Sequence, residues 1–256
     1  MQRNLENKVA VVVGAGTRGE GIGNGKAAAI QFAREGAAVF CIDKDPAAAQ
    51  ACADFIKEEG GIAEAFAADI TSAKECEGAV NQCLKRFKKI DVLHNNVGIA
   101  SMMEIVDTPE ETWDGMFAVN VKGIFFMCKQ AIPHMIEGGG GVITNVSSVA
   151  AVRSFPDAAY MSTKGTVNAL TIYLAGRYGR YNIRTNALLL GFIDTPLARP
   201  AWDNEKVKKI NLRQVPMRRF ASPWEVATVA VFLASDGASY LNGVILPVDG
   251  GLSIAM

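Results

Sequence analysis

The chain has 256 residues, half of them apolar and a fifth charged, which is ordinary globular composition with enough apolar side chains for a large core. Its 26 basic residues balance 26 acidic ones, which argues against a nucleic-acid surface or a membrane-binding patch. The five cysteines (Cys41, Cys52, Cys76, Cys83 and Cys128) are odd in number with no C-x-x-C pair, and the two histidines, His94 and His134, lie in no ligand spacing. Reduced thiols and no metal site are therefore expected.

The N-terminal residues 1–8 are polar, and the apolar run after them, Val9–Val13, is too short for a signal-peptide core or a membrane span. A soluble, cytoplasmic protein is expected. Val9–Val13 reads as a buried strand, 24–35 as a helix ended by Gly36, and Ala38–Asp43 as the next strand. Helix 46–59, strand 62–69, helix Ala73–Phe87 and strand 91–94 continue the alternation. A helix near 114–135, a strand at 141–146, a helix around 160–178 and a strand at 184–189 follow. Between Thr195 and Arg219 the rhythm lapses in a stretch rich in Pro, Arg and Lys that holds Leu197, Trp202 and Leu212. A long irregular connection inside a compact domain is usually a functional lid or a disordered loop. Helix Pro223–Ala234 and strand 244–248 close the chain. Strands alternating with helices pair in parallel, because a parallel crossover needs about a dozen residues. With no linker, repeat or low-complexity tract, residues 1–256 read as one doubly wound α/β domain, with 195–219 as a substrate lid.

The first strand runs directly into Gly14-Ala15-Gly16-Thr17-Arg18-Gly19-Glu20-Gly21-Ile22-Gly23, and a helix follows. Glycines there permit a tight turn and let bare backbone approach a pyrophosphate, while the helix N-terminus offers N–H groups and partial positive charge. Gly14, Gly21 and Ile22 are the candidate phosphate contacts. Asp43 ends the second strand at the spacing, about twenty residues on, of a ribose-binding acid. Its carboxylate can accept both ribose hydroxyls and would repel a 2′-phosphate, which favours NAD over NADP; Lys44 beside it could soften that repulsion. Asn95-Asn96-Val97-Gly98 follows the fourth strand, at the sheet end where ligands bind in open parallel sheets.

Tyr160 and Lys164 stand four residues apart on a helix and so share a face. A free phenol titrates near pH 10 and is a poor base at neutral pH, and a fixed cation nearby lowers that value. Ser147 and Ser148 stand thirteen and twelve residues upstream, at the end of a strand.

With these residues the sequence resembles the short-chain dehydrogenase/reductase family along nearly its whole length. The resemblance includes the glycine loop, Asp69, Asn95-Asn96-Val97-Gly98, Asn120 in Val119-Asn120-Val121-Lys122-Gly123, Ser148, Tyr160 and Lys164. It continues through Asn182-Ile183-Arg184-Thr185-Asn186, Gly191-Phe192-Ile193-Asp194-Thr195-Pro196, Pro216 to Ser222 and Val248-Asp249-Gly250-Gly251. It implies an NAD-dependent enzyme moving a hydride between the nicotinamide ring and an alcohol or ketone. Tyr160 would be general acid and base, and Ser148 would bind the substrate oxygen. Lys164 would hold the nicotinamide ribose and tune Tyr160, and Asn120 would anchor a water of the proton relay. Ile193 and Thr195 would fix the carboxamide, Asp69 and Ile70 the adenine, with Asn96 and Gly98 also lining the cofactor. The family also implies a Rossmann-type, seven-stranded parallel sheet and commonly a homotetramer.

Three departures from the family pattern stand out. The glycine loop is about three residues longer than usual, and Arg18 within it could touch cofactor or solvent. The Ser148–Tyr160 spacing is one shorter, which keeps Ser147 as a second candidate. Leu190-Gly191 replaces the usual Pro-Gly but keeps the glycine. Two other readings are an NADP-dependent acyl-thioester ketoreductase, which Asp43 opposes, and a catalytically silent nucleotide-binding protein, which would need a broken tetrad. Met102, Met103, Phe155, Leu197 and Trp202 suggest a mainly apolar substrate, and Arg153 could meet a substrate carboxylate.

Overall fold

Strand β1 (Val9–Val13) pairs in parallel with β2 (Ala38–Asp43) on one side and β4 (Val92–Asn95) on the other. Beyond β2 lies β3 (Ile62–Ala67), and beyond β4 lie β5 (Gly141–Ser148), β6 (Ile183–Leu190) and β7 (Ile245–Val248). The seven-stranded sheet has the order β3-β2-β1-β4-β5-β6-β7, the doubly wound topology. This computed structural model describes residues 4–17, 19–199 and 204–255. Arg18 and Trp202, both singled out in the sequence, lie outside them.

Successive strand residues face opposite sides of a sheet, and β1 uses both. Ala10 and Val12 join a core with Ala28, Phe32 and Val226 from helices α1 (Asn24–Arg34) and α8 (Pro223–Ala234). Val9, Val11 and Val13 join a second core with residues of α3 (Ala73–Phe87), α5 (Gly123–Glu137) and α6 (Ala158–Tyr178). A sheet buried on both faces explains why its strands read as continuous apolar runs. Helix α2 (Pro46–Glu58) is capped by Asp45, whose carboxylate accepts the Ala47 and Ala48 N–H groups. Helix α8 opens on a Ser222/Glu225 capping box with Pro223 at its first turn. His94 is fully buried on β4, edge-to-face with Phe32 at 5.6 Å, and burial holds its pKa down at about 4, so it is a neutral core residue.

Three segments differ from the sequence reading. The stretch read as one helix near 114–135 is α4 (Glu110–Phe117), a π-helical turn (Ala118–Lys122) and α5. The third strand stops at Ala67, because the Asp69 carboxylate takes both the N–H and the hydroxyl of Thr71 and turns the chain. The irregular segment 195–219 contains a helix, α7 (Glu205–Gln214), that starts at an Asn204 cap and buries no residue. Its residues are mostly polar and it packs none of them into the core, so the Asn204 cap is what marks its start. All five cysteines are free thiols. Among the described residues, no helix is long and apolar enough to cross a membrane.

Candidate active site

Strand order reverses between β1 and β4, and the loops leaving their C-terminal ends meet there. Gly14 has φ +79° and donates to the Ile42 carbonyl at 2.8 Å. A Cβ on it would sit 2.7 Å from Val97 Cγ2, so only glycine fits. Asn96 Nδ2 donates to the Gly14 carbonyl at 3.1 Å, so its amide ties the two loops together. Gly16 N donates to Asp43 Oδ2 at 3.0 Å, and the other Asp43 oxygen accepts the Asp45 N–H at 3.1 Å. The acid at the end of β2 thus touches the glycine loop directly.

Helix α1 begins after Gly23, which makes no side-chain cap hydrogen bond, so its first-turn N–H groups remain available to a phosphate. Gly23 N instead donates to Thr17 Oγ1 at 3.0 Å. Gly25, buried in the first turn of α1, lies against the Gly14 carbonyl with no room for a Cβ. Gly25 is a site-forming residue that the sequence reading left out, and Gly23, quoted there within the loop, was not among its candidate phosphate contacts. Their signal was the continuation of the glycine run into the helix. Ile22 is half-buried just ahead of it, whereas Gly21 is exposed with φ +115° and abuts Pro196 and Arg199. The lengthened part of the loop therefore contacts the start of segment 195–219.

Lys44 does not neutralise Asp43. Its ammonium pairs with Asp69 at 2.7 Å, and this contact, followed by the Thr71 hydrogen bonds, lowers the Asp69 pKa to about 2. Ile70 is buried against Gly123. Ile193 is buried beside Ala221 in a short parallel bridge, and Thr195 Oγ1 accepts the Ala198 N–H at 3.3 Å. Gly191 is held to glycine by the Asp249 backbone, 2.7 Å from where a Cβ would lie.

The π-helical turn carries Asn120, which is fully buried. Its Oδ1 accepts the Ile99 N–H at 2.8 Å, and its Nδ2 donates to the Ile99 carbonyl at 2.9 Å and to Thr163 Oγ1 at 3.1 Å. One extra residue in a helical turn re-aims the side chains after it, a device frequent at functional sites. Thr163 in turn donates to the Tyr160 carbonyl, linking Asn120 to α6. Lys164 Nζ donates to the Val146 carbonyl at 2.8 Å, lies beside Gly98, and sits 5.5 Å from the centre of the Tyr160 ring. Burial lowers its pKa to about 8.

Ser148 ends β5 near the Tyr160 phenol, where its hydroxyl acts to lower the tyrosine pKa. Ser147 is buried, with its hydroxyl donating to the Lys164 carbonyl at 3.3 Å, so of the two serines it is Ser148 that meets the tyrosine. The Tyr160 pKa is raised, not lowered as the neighbouring lysine suggested. Burial is the largest cause, the nearby Ser148 hydroxyl opposes it, and the negative charge of Asp157 adds to it.

Asp157 is the other residue the sequence reading missed. Almost fully buried, it caps α6 by accepting the Tyr160 N–H at 2.9 Å, and its second oxygen accepts the Ser101 and Met102 N–H groups, each at 2.7 Å. An aspartate three residues before a helical tyrosine is an N-cap signature. Starting the helix at Tyr160 instead of Ala158 hid it.

A family model described as enoyl-(acyl carrier protein) reductase matches residues 17–253. A 3-oxoacyl-[acyl-carrier-protein] reductase of Thermotoga maritima is 35% identical over 254 residues, covering 98% of this chain and 99% of that protein. This chain is a short-chain dehydrogenase/reductase. The family comprises oxidoreductases that act on alcohols and ketones with a nicotinamide cofactor. Among solved structures, a gluconate 5-dehydrogenase from Burkholderia cenocepacia in complex with NADP and tartrate superposes on this short-chain dehydrogenase/reductase with a TM-score of 0.93. It is 30% identical and covers 100% of this chain and 98% of its own. A 7α-hydroxysteroid dehydrogenase complexed with NADH and 7-oxo glycochenodeoxycholic acid gives a TM-score of 0.92 at 33% identity, with 98% and 96% covered.

Proposed function

We propose that this short-chain dehydrogenase/reductase uses NAD and interconverts a secondary alcohol and its ketone, with Tyr160 as the proton-transfer residue. The observation that carries the reading is the meeting of the half-buried Tyr160 with Ser148 at the end of β5 and with the Lys164 ammonium, 5.5 Å from the centre of the tyrosine ring. A bound nicotinamide would supply or accept the hydride. Ser148 orients the substrate oxygen against the phenol, and Tyr160, whose pKa is raised, donates to that oxygen in reduction and takes the proton back in oxidation. Lys164 supplies positive charge beneath the ring, and Asn120 fixes the π-turn beside it. Gly14, Gly21, Ile22, Gly23 and the α1 N-terminus would hold the pyrophosphate. Asp43 would hold the adenosine ribose, Asp69 and Ile70 the adenine, Asn96 and Gly98 the inner wall, and Ile193 and Thr195 the carboxamide. The exposed Phe125, Ile172 and Tyr173 on α5 and α6 support a homotetramer, since large apolar side chains on an outer helix face mark association surfaces.

NAD preference rests on Asp43, whose carboxylate at the end of β2, beside the glycine loop, would repel a 2′-phosphate. The alternative, an NADP-dependent ketoreductase, is favoured by the Thermotoga relative and by the NADP held in the gluconate 5-dehydrogenase. Steady-state assays with both cofactors decide between them. We expect wild type to prefer NAD, and Asp43→Ala to lower the NAD over NADP ratio of kcat/KM by about tenfold or more, the scale of one close like-charge contact. Wild-type preference for NADP would overturn the assignment and point to Lys44.

Segment 195–219 we read as the lid. Helix α7 buries no residue, Leu197 is 70% exposed, and Leu212 is only half-buried. Lids belong to the low-stability part of a fold, because they must open. Amide hydrogen exchange across this segment should be fast in the free protein and slow when cofactor and a substrate analogue bind together. Equal protection in both states would make it fixed structure.

A further inference from the structure

Beside Ser148 and Tyr160 lies a cavity of about 30 Å³, room for about two water-sized groups. Its walls include Val149, Ala150, Arg153, Phe155, Phe192 and Gln214. It adjoins the reacting pair, since Ala150 N donates to Ser148 Oγ at 3.2 Å and the Phe155 ring lies 5.9 Å from that of Tyr160. Most of the lining is apolar; of its polar members, Arg153, Ser154 and Gln214, only Arg153 is charged.

Arg153 is half-buried, and the one hydrogen bond it makes among the described residues is from Nη1 to the Leu252 carbonyl at 2.5 Å. No carboxylate among the described residues lies within ion-pair distance of it. The acids that flank it are occupied. Asp157, on its own segment, is filled by the Tyr160, Ser101 and Met102 N–H groups. Asp249, three residues before Leu252, accepts the Gly251 and Ser253 N–H groups at 2.9 and 2.7 Å. A guanidinium carries five donors in a planar fork matched to a carboxylate, and a partly desolvated cation without a counter-charge favours an anionic ligand.

We propose that Arg153 receives a carboxylate on the substrate, remote from the carbon that reacts, so that the substrate is an apolar body with an acidic end. The inference rests on the reading of Ser148 and Tyr160 as the reacting centre. It narrows the apolar expectation drawn from the sequence: the small cavity beside Arg153 takes only the carboxylate head, and the apolar body extends from it past Phe155 towards Tyr160.

The test uses non-reacting probes, so that it does not depend on turnover. Cyclohexanecarboxylate and cyclohexanecarboxamide are titrated calorimetrically into the full-length protein, with and without NADH. The same titrations are run on Arg153→Met, which keeps the stem and removes the charge, and on Arg153→Lys, which keeps the charge. Wild type should bind the acid about tenfold or more tightly than the amide, as expected for a charge-assisted hydrogen bond. That ratio should fall to about one in Arg153→Met and be partly regained in Arg153→Lys. If Arg153 only tethers the C-terminal tail, both probes weaken equally and the ratio stays, which overturns the proposal. Equal binding of the two probes to wild type, or binding of neither, also overturns it. Failure of the redox reading would show separately, as a protein that holds its acid preference yet transfers no hydride to any ketone.

Discussion

Tyr160→Phe should fold, bind cofactor and lose turnover by about 100-fold or more, the usual size of a general acid–base contribution. The substitution keeps the ring and its contact with Phe155 at 5.9 Å, so packing is preserved and only the hydroxyl near Ser148 disappears. Steady-state rates followed by NADH absorbance in both directions, with cofactor affinity from fluorescence titration, read the two effects apart. A variant with near wild-type kcat would show that the proton travels by another group. Loss of cofactor binding together with kcat would mean that the hydroxyl, not the proton it carries, is what matters.

Asp157→Ala should cost more in stability than any surface change, although Asp157 touches no reacting atom. Its carboxylate is the acceptor for three backbone N–H groups, at Ser101, Met102 and Tyr160. Leaving a buried donor unpaired costs about 1–3 kcal/mol, and losing a helix cap about 1 kcal/mol. Water can reach the half-exposed Met102 side of the loop, so a total of about 2–4 kcal/mol is expected. For a chain of this size that lowers Tm by about 5–15 °C. The catalytic effect should come with it, because one carboxylate holds both the start of the tyrosine helix and the loop that follows Asn95-Asn96-Val97-Gly98. Asp157→Asn keeps one acceptor and should recover part of the Tm. Thermal unfolding of the two variants checks the order, and an Asp157→Ala Tm within about 1 °C of wild type would remove Asp157 from the architecture of the site.

The alternation of strands and helices, the parallel pairing and the single domain were legible from the sequence, because they depend on local periodicity and on how much chain a parallel crossover needs. The central part of the candidate site was legible for the same reason. Tyr160 and Lys164 are four residues apart on one helix, and Gly14 and Asp43 each stand at the end of a strand whose apolar run gives it away. What the sequence did not carry depends on partners far apart along the chain. Asp157 meets residues more than fifty positions away, Lys44 crosses to Asp69 and away from its neighbour Asp43, and Gly25 presses on the carbonyl of Gly14 across a loop. The π-turn that turns Asn120 inward leaves no mark on apolar spacing, since one added residue merely shifts the phase of a helix already assigned. The direction of the Tyr160 shift was also out of reach. A nearby cation can be read from spacing, but the desolvation that outweighs it exists only once β5, α6 and the loop held by Asp157 have closed around the phenol.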